Sequence, residues 1–143
     1  MEQQTYANHT RWFPLVHFVV MPLLILNFLY QAVRLYQEPG IDRAVWVVLC
    51  IVFLLVSLAA RLQALTVQDR VIRLEERLRY KEILSPELAK KAAELPTGRM
   101  IALRFAPDEE LPHLISQVLD GKLNTGREIK QAIKNWRGDY LRT

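Results

Sequence analysis

The sequence predicts an all-α membrane protein: a transmembrane helical hairpin, a second span that continues into a cytoplasmic helix, and a small C-terminal helical unit. Three observations lead there. Two uncharged apolar runs stand near the beginning of the chain, a short polar link with a Pro-Gly turn joins them, and nearly all the charge lies beyond the second run. Only six charged side chains, Glu2, Arg11, Arg34, Glu38, Asp42 and Arg43, fall in residues 1–60, against 28 in the remaining 83. The averages for the 143 residues, 51% hydrophobic and 24% charged, resemble a soluble domain only because they mix two unlike parts. They exclude disorder, collagen, a disulfide framework and a multi-cysteine zinc module.

The first run, Trp12–Val33, has 22 residues without a formally charged group apart from the titratable His17. As a helix it covers about 33 Å, enough for a hydrocarbon core of about 30 Å. Its length, and the lack of a small-residue cleavage site near Asn27-Phe28-Leu29-Tyr30, argue against a cleaved signal peptide. Pro14 and Pro22 lie within it, and Pro22 is expected to bend it. The second run, Ala44–Ala60, has 17 residues. It is short for a span but extensible through Leu62–Leu65 if Arg61 snorkels. Between them, Glu38-Pro39-Gly40 is a turn signal. Neither run has a polar face, so neither reads as a core helix of a soluble protein.

Orientation follows from the cations. The link holds Arg34 and Arg43, whereas Arg61, Arg70, Arg73, Arg77, Arg79 and Lys81 come after the second run. The positive-inside rule then places both termini in the cytoplasm and the link outside. Tyr6, Trp12 and Phe13 form the inner aromatic belt, and Tyr30, Tyr36 and Trp46 the outer one. Cys50 reads as an apolar packer. The intramembrane polar residues His17 and Asn27 are functional candidates by default, with helix–helix hydrogen bonding as the plainer reading. Hairpin geometry brings His17 to the depth of Ser57, Arg61 and Gln63, and Asn27 near Val52 and Cys50.

From Ala60 to Tyr80 the chain lacks Gly and Pro, so the second helix continues past the membrane. Ala60, Ala64, Val67, Val71, Leu74 and Leu78 form a seam with coiled-coil spacing. It has two readings, pairing with another copy or packing against the C-terminal helices; fewer than three heptads favours the second. Asp69–Arg73 and Glu75–Arg79 are expected i,i+4 pairs. Ser85-Pro86-Glu87 starts a short helix to about Leu95, and Pro96-Thr97-Gly98 breaks it. Arg99–Ala106 is ambiguous between helix and strand, with helix favoured because no partner strand is visible. Pro107-Asp108-Glu109-Glu110 opens another helix, with Pro112 in its first turn and Gly121 ending it. Asn124 or Thr125 caps a last helix carrying Ile129, Ile133 and Trp136 on one side, closed by Gly138. The organisation is thus an N-terminal cytoplasmic segment (1–11), the hairpin (12–65, spans 12–33 and 44–62), a juxtamembrane amphipathic helix (66–84) and a cytoplasmic helical tail (85–143).

Signatures of chemistry are sparse. His9, His17 and His113 are scattered and there is one cysteine, so no metal site and no cofactor is expected. No Walker loop, GxSxG or dinucleotide fingerprint occurs. Adjacent residues on a helix point apart, so Glu75-Glu76 and Glu109-Glu110 read as solvated faces. Arg137-Gly138-Asp139 and the sequon Asn8-His9-Thr10 read as chance.

Four motifs resemble an uncharacterised family of small bacterial membrane proteins, known as a domain of unknown function. They are Asn8-His9-Thr10-Arg11 with Pro14 and His17, RLQALTVQDRVIRLEERLR (Arg61–Arg79), ALRFA (Ala102–Ala106) and IKQAIKNWRGDYLR (Ile129–Arg142). The resemblance covers nearly the whole chain. It implies a bacterial inner-membrane protein with two spans and a cytoplasmic helical tail, and no activity, ligand or partner. It marks Asn8, His9, Arg11, His17, Gln63, Asp69, Arg70, Arg104, Lys134, Asn135 and Trp136 as motif residues.

The leading functional expectation is a non-enzymatic integral membrane protein, an interaction platform or accessory subunit at the cytoplasmic face. Its expected partners are the bilayer and a homo-oligomer or larger membrane complex. Its working region would be a juxtamembrane cluster of His9, Arg11, His17, Arg61, Gln63, Asp69 and Arg70. One alternative is an oligomeric transporter or enzyme built on that cluster, since two helices cannot enclose a pore. Another is binding of anionic lipid, or less readily nucleic acid, by the basic surface of Lys130, Lys134 and Arg137.

Overall fold

Pro22 has no N–H to give the preceding turn, and its ring crowds the carbonyl four residues back. In the computed structural model, which describes residues 5–6 and 12–139, the chain meets this with a π-helical stretch at Leu15–Val20. The Met21 amide there bonds Val16 O, five residues back, and Pro22 falls in the first turn of helix α1, Met21–Gln37. Glu38 ends α1. Helix α2 then runs from Ile41 to Ile83. The carboxylate of Glu38 sits between Arg34 (3.4 Å) and Arg43, so the link carries its own charge compensation.

Four short helices follow among the described residues: α3 (Pro86–Ala92), α4 (Thr97–Leu103), α5 (Leu111–Leu119) and α6 (Gly126–Ala132). All described regular structure is helical, and Arg99–Leu103 is helix. The described residues divide into two compact units, 12–65 and, together with Thr5 and Tyr6, 66–139.

The first unit contains α1 and the first part of α2. Both Leu15–Gln37 and α2 are long and apolar enough to cross a membrane. Their apolar side chains are exposed, among them Phe18, Leu26, Phe53 and Leu55, unlike those of a soluble core. Cys50 is the buried exception, at 3% exposure. Asn27 Nδ2 donates to its sulfur at 3.2 Å, the neighbour expected for Asn27 from the sequence.

The second unit has a core of its own. Tyr80, Met100, Leu103, Phe105, Leu111, Ile115, Val118 and Ile129 are fully buried, each apolar side chain contributing about 1.5–3 kcal/mol. The helix ends use the expected devices. Ser85 Oγ caps α3 by accepting from Leu88 N. Gly121, with φ 74°, closes α5 with paired bonds, Lys122 N to Gln117 O and Gly121 N to Val118 O, as a left-handed cap requires. Thr125 and Glu128 form a reciprocal capping box at the start of α6.

Three expectations are corrected by the fold. First, the seam of Val67, Val71, Leu74 and Leu78 is exposed and the C-terminal helices do not pack on it. The face of α2 that enters the core carries Ile72, Glu76, Arg79 and Tyr80. Two of these are charged and neutralise each other in place, so hydropathy alone indicated the wrong side. Second, α6 ends at Ala132, not near Gly138. The Lys134 and Asn135 amides are captured by Glu110 and the Arg137 amide by Phe105 O, which stops the helical ladder. Third, Arg79 pairs with Glu76 and Asp108 rather than Glu75, and no Asp69–Arg73 ion pair is present among the described residues.

Candidate functional site

The face of α2 buried in the second unit presents Glu76 and, one turn later, Arg79 and Tyr80. Arg79 organises the site. Its Nε donates to Asp108 Oδ1 at 2.8 Å, its Nη2 to Ala106 O at 2.7 Å, and its Nη1 to Glu76 Oε2 at 3.4 Å. One guanidinium therefore caps the chain after α4, fixes the Pro107–Glu110 turn and neutralises a buried acid. Glu76 is 5% exposed. Burial pushes its carboxyl above the ordinary range, opposed by the charges of Arg79, Arg137 and Arg104. Tyr80 lies beneath. Burial, and secondarily Glu76, push its phenol upward, and its hydroxyl has no hydrogen-bond partner among the described residues.

Two motifs distant in sequence meet beside these groups. Phe105 stacks on Trp136 with ring centroids 4.9 Å apart. The Arg137 amide donates to Phe105 O at 2.8 Å, and Arg104 Nε lies 2.9 Å from Asp139 Oδ2. The Arg104 guanidinium also lies 4.3 Å from the Phe105 ring, a cation–π contact. Glu110 fastens the same segment, with Oε2 accepting from Lys134 N and Oε1 from Asn135 N and Nδ2 at 2.8–3.0 Å.

Between this segment and α2 lies an open groove of about 760 Å³. Its polar lining includes Glu76, Arg79, Glu82, Arg104, Arg137 and Asp139. Guanidiniums paired with carboxylates around an apolar floor suit recognition of a charged or polar segment. No nucleophile–base pair lines it, and no group of three or more metal-ligating side chains occurs among the described residues.

The family model described as "Family of unknown function (DUF6526)" matches residues 1–143. The chain belongs to the DUF6526 family. No curated protein and no solved structure matches it. Membership of an uncharacterised family is what the four sequence motifs imply, and in this DUF6526 chain two of those motifs, ALRFA and the described part of IKQAIKNWRGDYLR, pack together.

Of the residues expected to form a juxtamembrane cluster, His9 and Arg11, with the motif residue Asn8, lie outside the described residues. His17 belongs to the π-helical stretch. Its Nδ1 is 2.9 Å from Phe13 O, and Trp12 meets its ring edge-on at 5.0 Å. In the same unit Arg61 is half-buried and Gln63 exposed, and no hydrogen bond joins them to His17 among the described residues. Asp69, half-buried, and Arg70, exposed, belong to the other unit, and neither makes an ion pair among the described residues. The basic residues do not share one helix. Lys130 is on α6 with its Nζ 5.6 Å from the Phe105 ring, whereas Lys134 and Arg137 come after the helix end.

Sequence reasoning missed Glu76, Arg79, Asp108, Glu110 and Asp139. The solvated-face readings of Glu75-Glu76 and Glu109-Glu110 fail at Glu76 and Glu110. Glu76 is buried and Glu110 takes three N–H donors. A signal existed for the first: Ile72, Glu76, Tyr80 and Ile83 fall on one helical face, opposite the seam.

Proposed function

We propose that the chain is a non-enzymatic integral membrane protein of a bacterial inner membrane, anchored by a hairpin of spans at about 12–33 and 44–62. In this reading both termini are cytoplasmic, and the unit from Thr66 onward is an interaction module for a larger membrane complex. One observation carries it. The two long apolar helices leave their apolar side chains exposed, while the second unit encloses its own core. Exposed apolar surface on that scale needs lipid or protein to cover it. The Lys/Arg bias after the second span supports the cytoplasmic side. The groove beside Arg79 supplies paired charges for a polar segment of a partner.

Expression in bacteria followed by alkaline extraction tests the anchor. Retention in the membrane pellet at high pH, with release only by detergent, is the expected result. Release into the alkaline supernatant contradicts it.

A further inference from the structure

We infer that the exposed stripe on α2 is the seam of a parallel two-stranded coiled coil with a second copy of this chain. Val67, Val71, Leu74 and Leu78 are 60%, 47%, 60% and 53% exposed. They recur at spacings of 4, 3 and 4 residues, which keeps one stripe facing a partner helix. Val67 and Leu74 then occupy d positions, and Val71 and Leu78 occupy a positions. A β-branched residue at a followed by leucine at d, as in Val71 and Leu74, fits two strands.

The flanks select the occupant and its direction. Positions g are Arg70 and Arg77, and positions e are Glu75 and Glu82. In a parallel pair, g of one helix meets the e of the next heptad on the other. Arg70 then faces Glu75 of the second copy, and Arg77 faces Glu82, twice each by symmetry. In an antiparallel pair arginine meets arginine and glutamate meets glutamate. The charges thus specify a second α2 in the parallel sense.

Arg70, Glu75 and Glu82 make no ion pair among the described residues. Arg77 is held by Nε and Nη2 donating to Ala93 O at 3.2 and 2.9 Å, and its Nη1 has no partner among the described residues. Leu78 stands on a ridge between two grooves. One takes Glu75 and Glu82 along its wall, and the other takes Arg77. A seam this short is weak between free helices. The inference rests on the membrane reading for the confinement that raises effective concentration and aligns two copies in parallel.

The test is oxidative cross-linking in native membranes, on the full chain with Cys50→Ala and a single new cysteine. Leu74→Cys at the seam is expected to give a disulfide-linked dimer, and Lys122→Cys, away from it, at least tenfold less. In the Leu74→Cys background, Arg70→Glu alone and Glu75→Arg alone should each lower the dimer several-fold, and the two together should restore it. Apart from Cys50, the substituted positions are exposed, and unchanged circular dichroism of the purified variants, the Cys50→Ala background included, checks folding. Equal cross-linking at Leu74 and Lys122, or a double reversal no better than the singles, overturns the inference. Extraction of the same samples separates the two claims. Seam cross-linking in a soluble fraction removes the membrane reading and leaves the seam, whereas a membrane-bound chain without cross-link removes the seam alone.

Discussion

Glu110 holds Asn135 by two bonds, with Oε1 accepting both the backbone amide at 3.0 Å and Nδ2 at 2.8 Å. This contact ends α6 early. It sets Trp136, Arg137 and Asp139 against Phe105 and Arg104.

Replacing Glu110 with alanine should therefore free the chain after Ala132. The side chain is near the surface, so the expected loss is about 1 kcal/mol. Partial burial pushes this carboxyl up, but the N–H donors of Lys134 and Asn135 outweigh it and hold it below its ordinary 4.5. A depressed carboxyl stabilises the fold above its unfolded value and loses that contribution as pH falls through the folded one. Thermal melts from pH 7 to pH 3 should show the wild type and Glu110→Ala converging below about pH 4.5. A gap that persists at the acid end contradicts this.

Arg79 has the opposite weight. Its loss strands Glu76, Ala106 O and Asp108 together. Arg79→Met should cost about 3–5 kcal/mol, the penalty for breaking a buried pair by removing one partner. Chemical denaturation followed by Trp136 fluorescence measures it. A loss under about 1 kcal/mol would place Arg79 among ordinary surface ion pairs.

Glu76 carries a pH dependence of reversed sign. Burial raises its carboxyl despite Arg79, Arg137 and Arg104. The protonated form is the better fit, and stability from this group is full below the unfolded value of 4.5 and declines as pH rises through the folded one. Glu76→Gln mimics the protonated form and keeps an acceptor for Arg79. It should melt higher than wild type at pH 7 and lose that advantage near pH 4. A variant that melts lower at pH 7 would show the Arg79 charge outweighing burial.

The start of α6 tests the local reading most simply. Thr125 Oγ1 accepts from Glu128 N at 3.2 Å, and Glu128 Oε2 accepts from Asn124 N at 2.7 Å and Thr125 N. Thr125→Ala should cost about 1 kcal/mol. Paired with Glu128→Ala it should cost less than the two single losses added, because both break one box. Strict additivity in denaturant melts contradicts the box.

Much of this architecture was legible because punctuation is local. Ser85, Gly121 and Thr125 start or stop helices through their own local chemistry, and each does so where the residue pattern places it, whereas α3 ends at Ala92, short of Leu95, and Thr97 and Gly98 open α4 instead of breaking the chain. The uncharged runs are legible for the same reason, since composition alone sets them. What was hidden depends on distant partners. The end of α6 is decided by Glu110, and the core-facing side of α2 by a mutual neutralisation of Glu76 and Arg79 that hydropathy scores as exposure. The groove escaped notice because its acids and bases come from three separate segments, none charged enough to stand out alone.

The central claim is a hairpin anchor with a cytoplasmic module, and cysteine accessibility tests it most directly. On a Cys50→Ala background, Glu38→Cys in the link and Lys122→Cys in the tail are treated with a membrane-impermeant maleimide, before and after lysis of bacteria permeabilised only at the outer membrane. The account predicts labelling of Glu38→Cys in intact cells and of Lys122→Cys only after lysis. Labelling of Lys122→Cys in intact cells, or of neither variant until lysis, would contradict it.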